Sequence, residues 1–126
     1  MAVSPSMTFN AQAGALSSQS LAASGTVTYN LDLSNKFEGQ IQVKDTGGGT
    51  VAATNGCQID VYRGFGAGPT YDTTSMMTIV ITTVVSTAKY ASFSLPTGKY
   101  QVKLTNLDAT NAITVESTLS TVDSVG

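Results

Sequence analysis

The stretch TVTYNLDLSNKFEGQIQVK, residues 26–44, shows the pattern on which the fold depends. In its first half an apolar series alternates with a polar one: Val27, Tyr29, Leu31 and Leu33 against Thr26, Thr28, Asn30 and Asp32. The second half repeats this with Phe37, Gly39, Ile41 and Val43 against Glu38, Gln40, Gln42 and Lys44. A period of two predicts a β-strand with one face on a core and the other in solvent.

Similar segments follow at residues 57–65, 76–85, 89–95, 99–107 and 112–122, separated by turn signals such as DTGGGT, GAGP and LPTG. No stretch has a helical period. Seven short alternating strands within about 100 residues are typical of an immunoglobulin-like antiparallel β-sandwich, which we assign to residues 25–126. A jelly roll needs eight strands and is the near alternative if residues 15–23 supply one more.

Residues 1–24 differ from the rest, since small and polar side chains surround four isolated apolar ones: Met7, Phe9, Leu16 and Leu21. The segment has no apolar face of its own. We interpret it as an extended N-terminal arm that inserts these four side chains into a neighbouring subunit. A loose terminus and an added edge strand are the alternatives.

Charged residues make up only 11% of the chain, against about a quarter in soluble domains, and Ser, Thr, Gly, Asn and Gln replace them. A surface rich in uncharged polar residues, Thr above all, is compatible with β-strands. It is also typical of a protein that packs against neighbouring subunits, where charges are depleted. The net charge is −2 and the six basic residues are scattered, which argues against nucleic acid as a partner. No apolar run is long enough for a membrane span, and no secretory signal is recognisable. The single cysteine, Cys57, excludes an intramolecular disulfide, so we expect synthesis in a reducing cytosol.

The stretch RGFGAGPTYD, residues 63–72, concentrates glycines, aromatic rings and an arginine between two predicted strands. A phosphate loop would need a following helix, and the next residues favour a strand. We therefore expect an inter-strand loop. Arg63, Phe65 and Tyr71 are residue types favoured at interface hot spots, which makes this loop a candidate contact surface.

Catalytic and metal-binding chemistry has few candidates. The chain has no histidine, which removes the usual base and the usual transition-metal ligand. Asp45 with the following TGGGT loop is the best local candidate for calcium, although a solvated turn is the simpler interpretation. Cys57 fits a buried thiol. Four acids fall on the polar phase of their strands, which faces water and not a cleft: Asp32, Glu38, Asp60 and Glu116. We expect no cofactor, no metal site and no enzymatic activity.

Residues 76–85, MMTIVITTVV, are apolar on both strand phases. A strand that is apolar on both faces is covered on both faces. Either another subunit or a longer loop of the same chain would supply the second cover.

The stretch SFSLPTGKYQVKLTNL, residues 92–107, resembles the E–F corner of fibronectin type III and related sandwiches. The resemblance implies that Tyr100 is a corner tyrosine, with its ring in the core and its hydroxyl bonded to nearby backbone. Such sandwiches often carry a core tryptophan and this chain has none, so Val61 or Ile59 would fill that space.

The run YASFSLPTGKYQVKLTNLDATNAITVESTLSTVDS, residues 90–124, resembles sequences of tailed-bacteriophage structural proteins, among them small decoration or cement proteins of the capsid. The resemblance implies a subunit that docks on the assembled head as a homo-oligomer, with a trimer favoured. Its partners would be the major capsid protein or other virion subunits, and its location the head surface after synthesis in the host cytoplasm.

On that model seven residues are the expected contacts: Met7, Phe9, Leu16, Leu21, Arg63, Phe65 and Tyr71. Two other functions stay open. One is a carbohydrate- or receptor-binding immunoglobulin-like module that stacks ligands on Tyr62, Phe65 and Tyr71. The other is a tail or baseplate component.

Overall fold

The computed structural model describes residues 7–47, 55–84 and 86–125, and these ranges contain nine strands. The strands are β1 (Met7–Leu21), β2 (Thr26–Asp32), β3 (Glu38–Gly47), β4 (Cys57–Phe65), β5 (Thr70–Tyr71), β6 (Met77–Ile81), β7 (Ala88–Pro96), β8 (Lys99–Asn106) and β9 (Ile113–Val125). Within the described ranges there is no helix with the length and apolarity needed to cross a membrane.

The strands form two antiparallel sheets. The four-stranded sheet has the order β1-β9-β3-β7. The five-stranded sheet has the order β2-β8-β4, and β6 and β5 follow one another along the far edge of β4. The predicted all-β sandwich is therefore confirmed. Consecutive strands β1 and β2 lie in different sheets, whereas the first two strands of an immunoglobulin domain pair with each other. The strand order is that of the jelly roll, the alternative connectivity, because residues near 15–23 do supply an additional strand.

The core lies between the two sheets and is built from the apolar phase of the alternating strands. In β8 the burial alternates along the whole strand, with Tyr100, Val102 and Leu104 fully buried. In β3 the same phase carries Ile41 and Val43 into the core. Side chains from both inner faces interdigitate there, which is how a period-two sequence makes a sandwich.

Residues Met7–Leu21, the greater part of the predicted arm, form edge strand β1 and pair antiparallel with β9 of the same chain. For these residues the arm prediction is wrong. Met7 lies opposite Val125 and Phe9 opposite Val122 in the register. Leu21 is 4% exposed and belongs to the core, and half-buried Leu16 packs against it. Backbone hydrogen bonding holds a strand whatever its side chains are, so the weak apolar pattern concealed it. Residues 1–6 of the predicted arm lie outside the described ranges.

Tyr100 has the two properties expected of a corner tyrosine. Its side chain is fully buried, and its hydroxyl donates to the Pro96 carbonyl oxygen at 2.9 Å. Gly98, with φ of 151°, makes the turn between β7 and β8 beneath that hydroxyl. Ile59 and Val61, the residues expected in place of a tryptophan, are both fully buried in β4.

Candidate functional site

The hairpin tip at residues 63–72 joins β4 to β5. Arg63 is exposed and Phe65 is 87% exposed, as a contact surface requires. Tyr71, in contrast, is half-buried, because its ring lies over Gly64. A Cβ added at Gly64 would lie 2.9 Å from Tyr71 Cε1. The Lys99 ammonium group donates to the Ala67 carbonyl oxygen at 2.9 Å and ties the tip to β8. The tip is thus an ordered hairpin turn.

The three rings considered for sugar stacking do not share one surface. Tyr71 lies opposite Gly64 in the register and Tyr62 is two residues back, so both tyrosines belong to the outer face of the five-stranded sheet. Phe65 lies opposite Thr70 and belongs to the other strand phase, together with Arg63. Two tyrosines therefore share a face, and the phenylalanine is separated from them.

A cleft of about 570 Å³ opens between the two sheets at the Arg63 end of β4. Its lining includes Phe37 and Glu38 from the start of β3, Arg63, and Leu95 and Pro96 from the end of β7. Phe37 is 56% exposed. The cleft combines an open aromatic ring with a guanidinium and a carboxylate, which can stack against a ring and exchange hydrogen bonds with hydroxyl groups.

Sequence reasoning missed this cleft. Its residues come from three strands that are distant in the chain, and Phe37 was assigned to the core phase. The structure places Phe37 one residue before β3, beside Lys36, whose ammonium group pairs with the Asp123 carboxylate at 3.1 Å at the surface.

A second groove, of about 490 Å³, runs between edge strands β6 and β7. We call it the β6–β7 groove. Its apolar rim is formed by Val80, Val84 and Tyr90, which are 55%, 39% and 57% exposed. Ile79 and Ala91 line its floor. The doubly apolar segment predicted at 76–85 thus reaches solvent on its outer phase. Among the described residues no loop closes over Val80; residue 85 lies outside those ranges.

Asp45 differs from its expected role as a solvated turn residue. Its carboxylate is fully buried and accepts a hydrogen bond from the Thr83 hydroxyl at 2.5 Å. Its second oxygen has no partner among the described residues. Burial raises the pKa of Asp45, and the Thr83 hydrogen bond opposes this in part. Gly48, Gly49 and Thr50 of the proposed calcium loop lie outside the described ranges.

Metal and nucleophile chemistry is not assembled in the described part of the chain. No three potential ligands from Cys, Asp and Glu come together there. Burial, and to a lesser extent the nearby Asp45 charge, raise the pKa of the Cys57 thiol to about 12, so the thiolate is scarce at neutral pH. Asp60 lies on the outer face but is only 7% exposed, and its carboxylate accepts hydrogen bonds from the Gln58 amide and the Thr78 hydroxyl.

Known proteins resemble this chain in structure but not in sequence. No protein-family model matches, and no curated protein matches. Many solved structures share the fold, and three with TM-scores above one half are representative. One is from the Bacillus endospore appendages, a family of disulfide-linked pili, with TM-score 0.53, 19% identity, and coverage of 94% of this chain and 92% of that one.

The second is the enzymatically active domain of tailspike protein 4 of bacteriophage CBA120, with TM-score 0.55 and 8% identity. It covers 92% of this chain, which spans only 19% of the tailspike chain. The third is a family 35 carbohydrate-binding module from an environmental isolate, with TM-score 0.51, 13% identity, and coverage of 96% and 91%. At these identities the similarity establishes the β-sandwich fold.

Proposed function

We propose that this protein is a structural subunit that works inside a multi-subunit assembly. The observation that carries the proposal is the β6–β7 groove, an exposed apolar rim on a chain with few charges. Contiguous apolar surface of this kind, bordered by polar residues, marks protein-contact sites. Charge depletion at an interface core has the same physical cause, since each buried charge needs a partner.

We further propose that the assembly is a virion and that the subunit decorates the capsid, docking on the major capsid protein as a homo-oligomer, with a trimer favoured. The resemblance of residues 90–124 to phage structural sequences supports this, and so does the fold shared with a phage tailspike domain. Many equivalent weak contacts on a lattice would stabilise the particle. A tail or baseplate location fits the same observations.

In such an assembly, no disulfide through Cys57 would join one copy to the next. The structurally similar Bacillus endospore appendages are disulfide-linked pili. Here the single cysteine is fully buried and its thiol pKa is about 12, so it is not placed to form a bridge between copies.

The test is fractionation of the native source on a density gradient, with the chain located by mass spectrometry. We expect the chain to band with intact particles, and mild separation of heads from tails to leave it on the heads. A chain found wholly in the soluble fractions would rule out the decoration role. Recovery with the tails would indicate that the protein is a tail or baseplate component instead.

A carbohydrate-binding module is the second candidate, and the cleft lined by Phe37, Glu38 and Arg63 favours it. A ring for stacking, donors and an acceptor are the groups that sugar binding uses. The fold is also that of a carbohydrate-binding module. The test is binding to a glycan array by wild type, Phe37→Ala and Arg63→Ala, with Tyr62→Ala and Tyr71→Ala for the tyrosine face. Wild type that binds no glycan removes this candidate.

A further inference from the structure

Strand β6 is an unprotected apolar edge. Its sequence, MTIVI at Met77–Ile81, contains no charge and no proline, and it pairs with β4 in an unbroken register. Among the described strands only β4 pairs with it, and none of them hydrogen-bonds to its other side. Open, apolar, regular edges are templates for pairing with another chain.

The opposite edge of the same sheet is unprotected as well. Strand β2, Thr26–Asp32, pairs with β8 over seven residues in an unbroken register. It has no lysine and no proline, and its one charge, Asp32, is at its end. Apart from the short length of β6 and the terminal Asp32 of β2, these two edge strands lack the lysine, proline and bulges that block edge pairing in monomeric sandwiches.

The four-stranded sheet is different at both of its edges. Strand β1 has four register shifts against β9, and irregularities of this kind interrupt pairing. Strand β7 carries Lys89 and ends at Pro96. Lysine and proline are both common protective residues on edge strands. The four-stranded sheet is thus protected against pairing with another chain at both edges, and the five-stranded sheet is much less protected.

The strand directions supply a partner. Each neighbouring pair along β6-β4-β8-β2 is antiparallel, so β6 and β2 run in opposite directions. A second copy placed beside the first in the same orientation would bring its β2 against β6 as an antiparallel pair. A two-fold contact between two β6 strands would leave both β2 edges open.

We propose that β6 of one copy pairs with β2 of the next, so that the five-stranded sheet continues from subunit to subunit. This inference rests on the proposed function, that the protein works in an assembly, and names the contact by which copies join. The pairing covers exposed Val80 on β6 and extends the contact toward the β6–β7 groove. The interface is head-to-tail, so it closes into a ring such as a trimer if the rotation permits and otherwise forms a filament.

Two variants test the contact from its two sides. Val80→Lys puts a charge on the β6 edge at a position that is 55% exposed, opposite Gln58. Thr28→Glu puts a charge in the middle of the β2 edge at an exposed position, opposite Lys103, where the opposite charges attract. Gln40→Lys is the matched control, because it adds a charge at an exposed position of β3, an interior strand. Circular dichroism and thermal unfolding verify that all three fold.

The readout is mass in solution by light scattering, for each protein alone and for an equimolar mixture of Val80→Lys and Thr28→Glu. We expect wild type and Gln40→Lys to associate and each edge variant to be monomeric, with its dissociation constant raised at least about tenfold. The mixture should associate at least into one-to-one heterodimers, because one intact β6 edge and one intact β2 edge remain.

The outcomes separate this inference from the proposed function. Wild type that stays monomeric at high concentration and off the particle counts against assembly itself. Association of wild type and Thr28→Glu but not of Val80→Lys contradicts head-to-tail pairing and indicates a two-fold β6 contact. Edge variants that both associate, or a mixture without heterodimer, overturn the inference and leave the assembly role standing.

Discussion

The Thr83 hydroxyl donates to the Asp45 carboxylate at 2.5 Å inside the sandwich, and this is the one hydrogen bond that the described residues give that carboxylate. The two residues are 38 positions apart in the chain. Asp45 is fully buried and Thr83 is 4% exposed, so the pair is shielded from bulk solvent. A buried carboxylate with one donor is costly to ionise.

The free energy of unfolding should therefore depend on pH through Asp45. Burial raises the pKa of this carboxyl above its ordinary value of 3.8. The contribution of the protonated group is fully present below pH 3.8 and is lost as the pH rises through the folded-state pKa. We expect Asp45→Asn, which cannot ionise, to gain stability relative to wild type as the pH rises from 4 toward 7.

Urea unfolding at several pH values measures that difference, and Asp72→Asn, at an exposed acid, is the control. Subtracting wild type from the variant cancels the opposite effect of Asp32, whose pKa is lowered by hydrogen bonds from Ser34. A pH-independent difference would contradict the prediction.

The Tyr100 hydroxyl should stabilise the β7–β8 corner. It donates to the Pro96 carbonyl oxygen at 2.9 Å and is near the Thr97 carbonyl oxygen at 3.4 Å, in a fully buried side chain. We expect Tyr100→Phe to fold with a free energy of unfolding lower by about 0.5–1.5 kcal/mol, since it removes a part-buried hydrogen bond. The control is Tyr90→Phe, at a ring that is 57% exposed, which should change the free energy of unfolding by less than about 0.5 kcal/mol. Equal effects of the two changes would argue against a structural role of the corner.

Gly98 should not tolerate a side chain. Its φ is 151°, and an added Cβ would lie 3.1 Å from the Tyr100 hydroxyl oxygen. We expect Gly98→Ala to destabilise by about 1–3 kcal/mol through backbone strain and crowding. Gly68→Ala is the matched control, since nothing lies within 4 Å of its Cβ position. Thermal unfolding compares the two, and a Gly98→Ala protein as stable as Gly68→Ala would refute the argument.

Leu21 should contribute to the stability of the isolated subunit. Its side chain is 4% exposed and lies in the core at the end of β1. We expect Leu21→Ala to lower the free energy of unfolding by about 2–4 kcal/mol, because it leaves a cavity. Ser18→Ala, at an exposed position of the same strand, should be nearly neutral. If β1 were a free arm, the stability of the monomer would be unchanged in both variants.

The sequence by itself determined the strands from β2 to β9 that have a strong alternating pattern. Period two is a local property, and one buried face follows from it directly. The corner at Tyr100 was also accessible, because its hydroxyl bonds a carbonyl only four residues back in the chain. Local geometry of this kind can be recognised without knowing which strands become neighbours.

Only the tertiary structure decided the place of β1, the jelly-roll order and the composition of the clefts. Strand β1 pairs with β9 at the other end of the chain, and its side chains carry little pattern. The cleft joins Phe37, Arg63 and Pro96, and the buried pair joins Asp45 to Thr83. These groupings depend on which strands pair and on the packing of the two sheets, and both are set by contacts across the whole chain rather than by any local period.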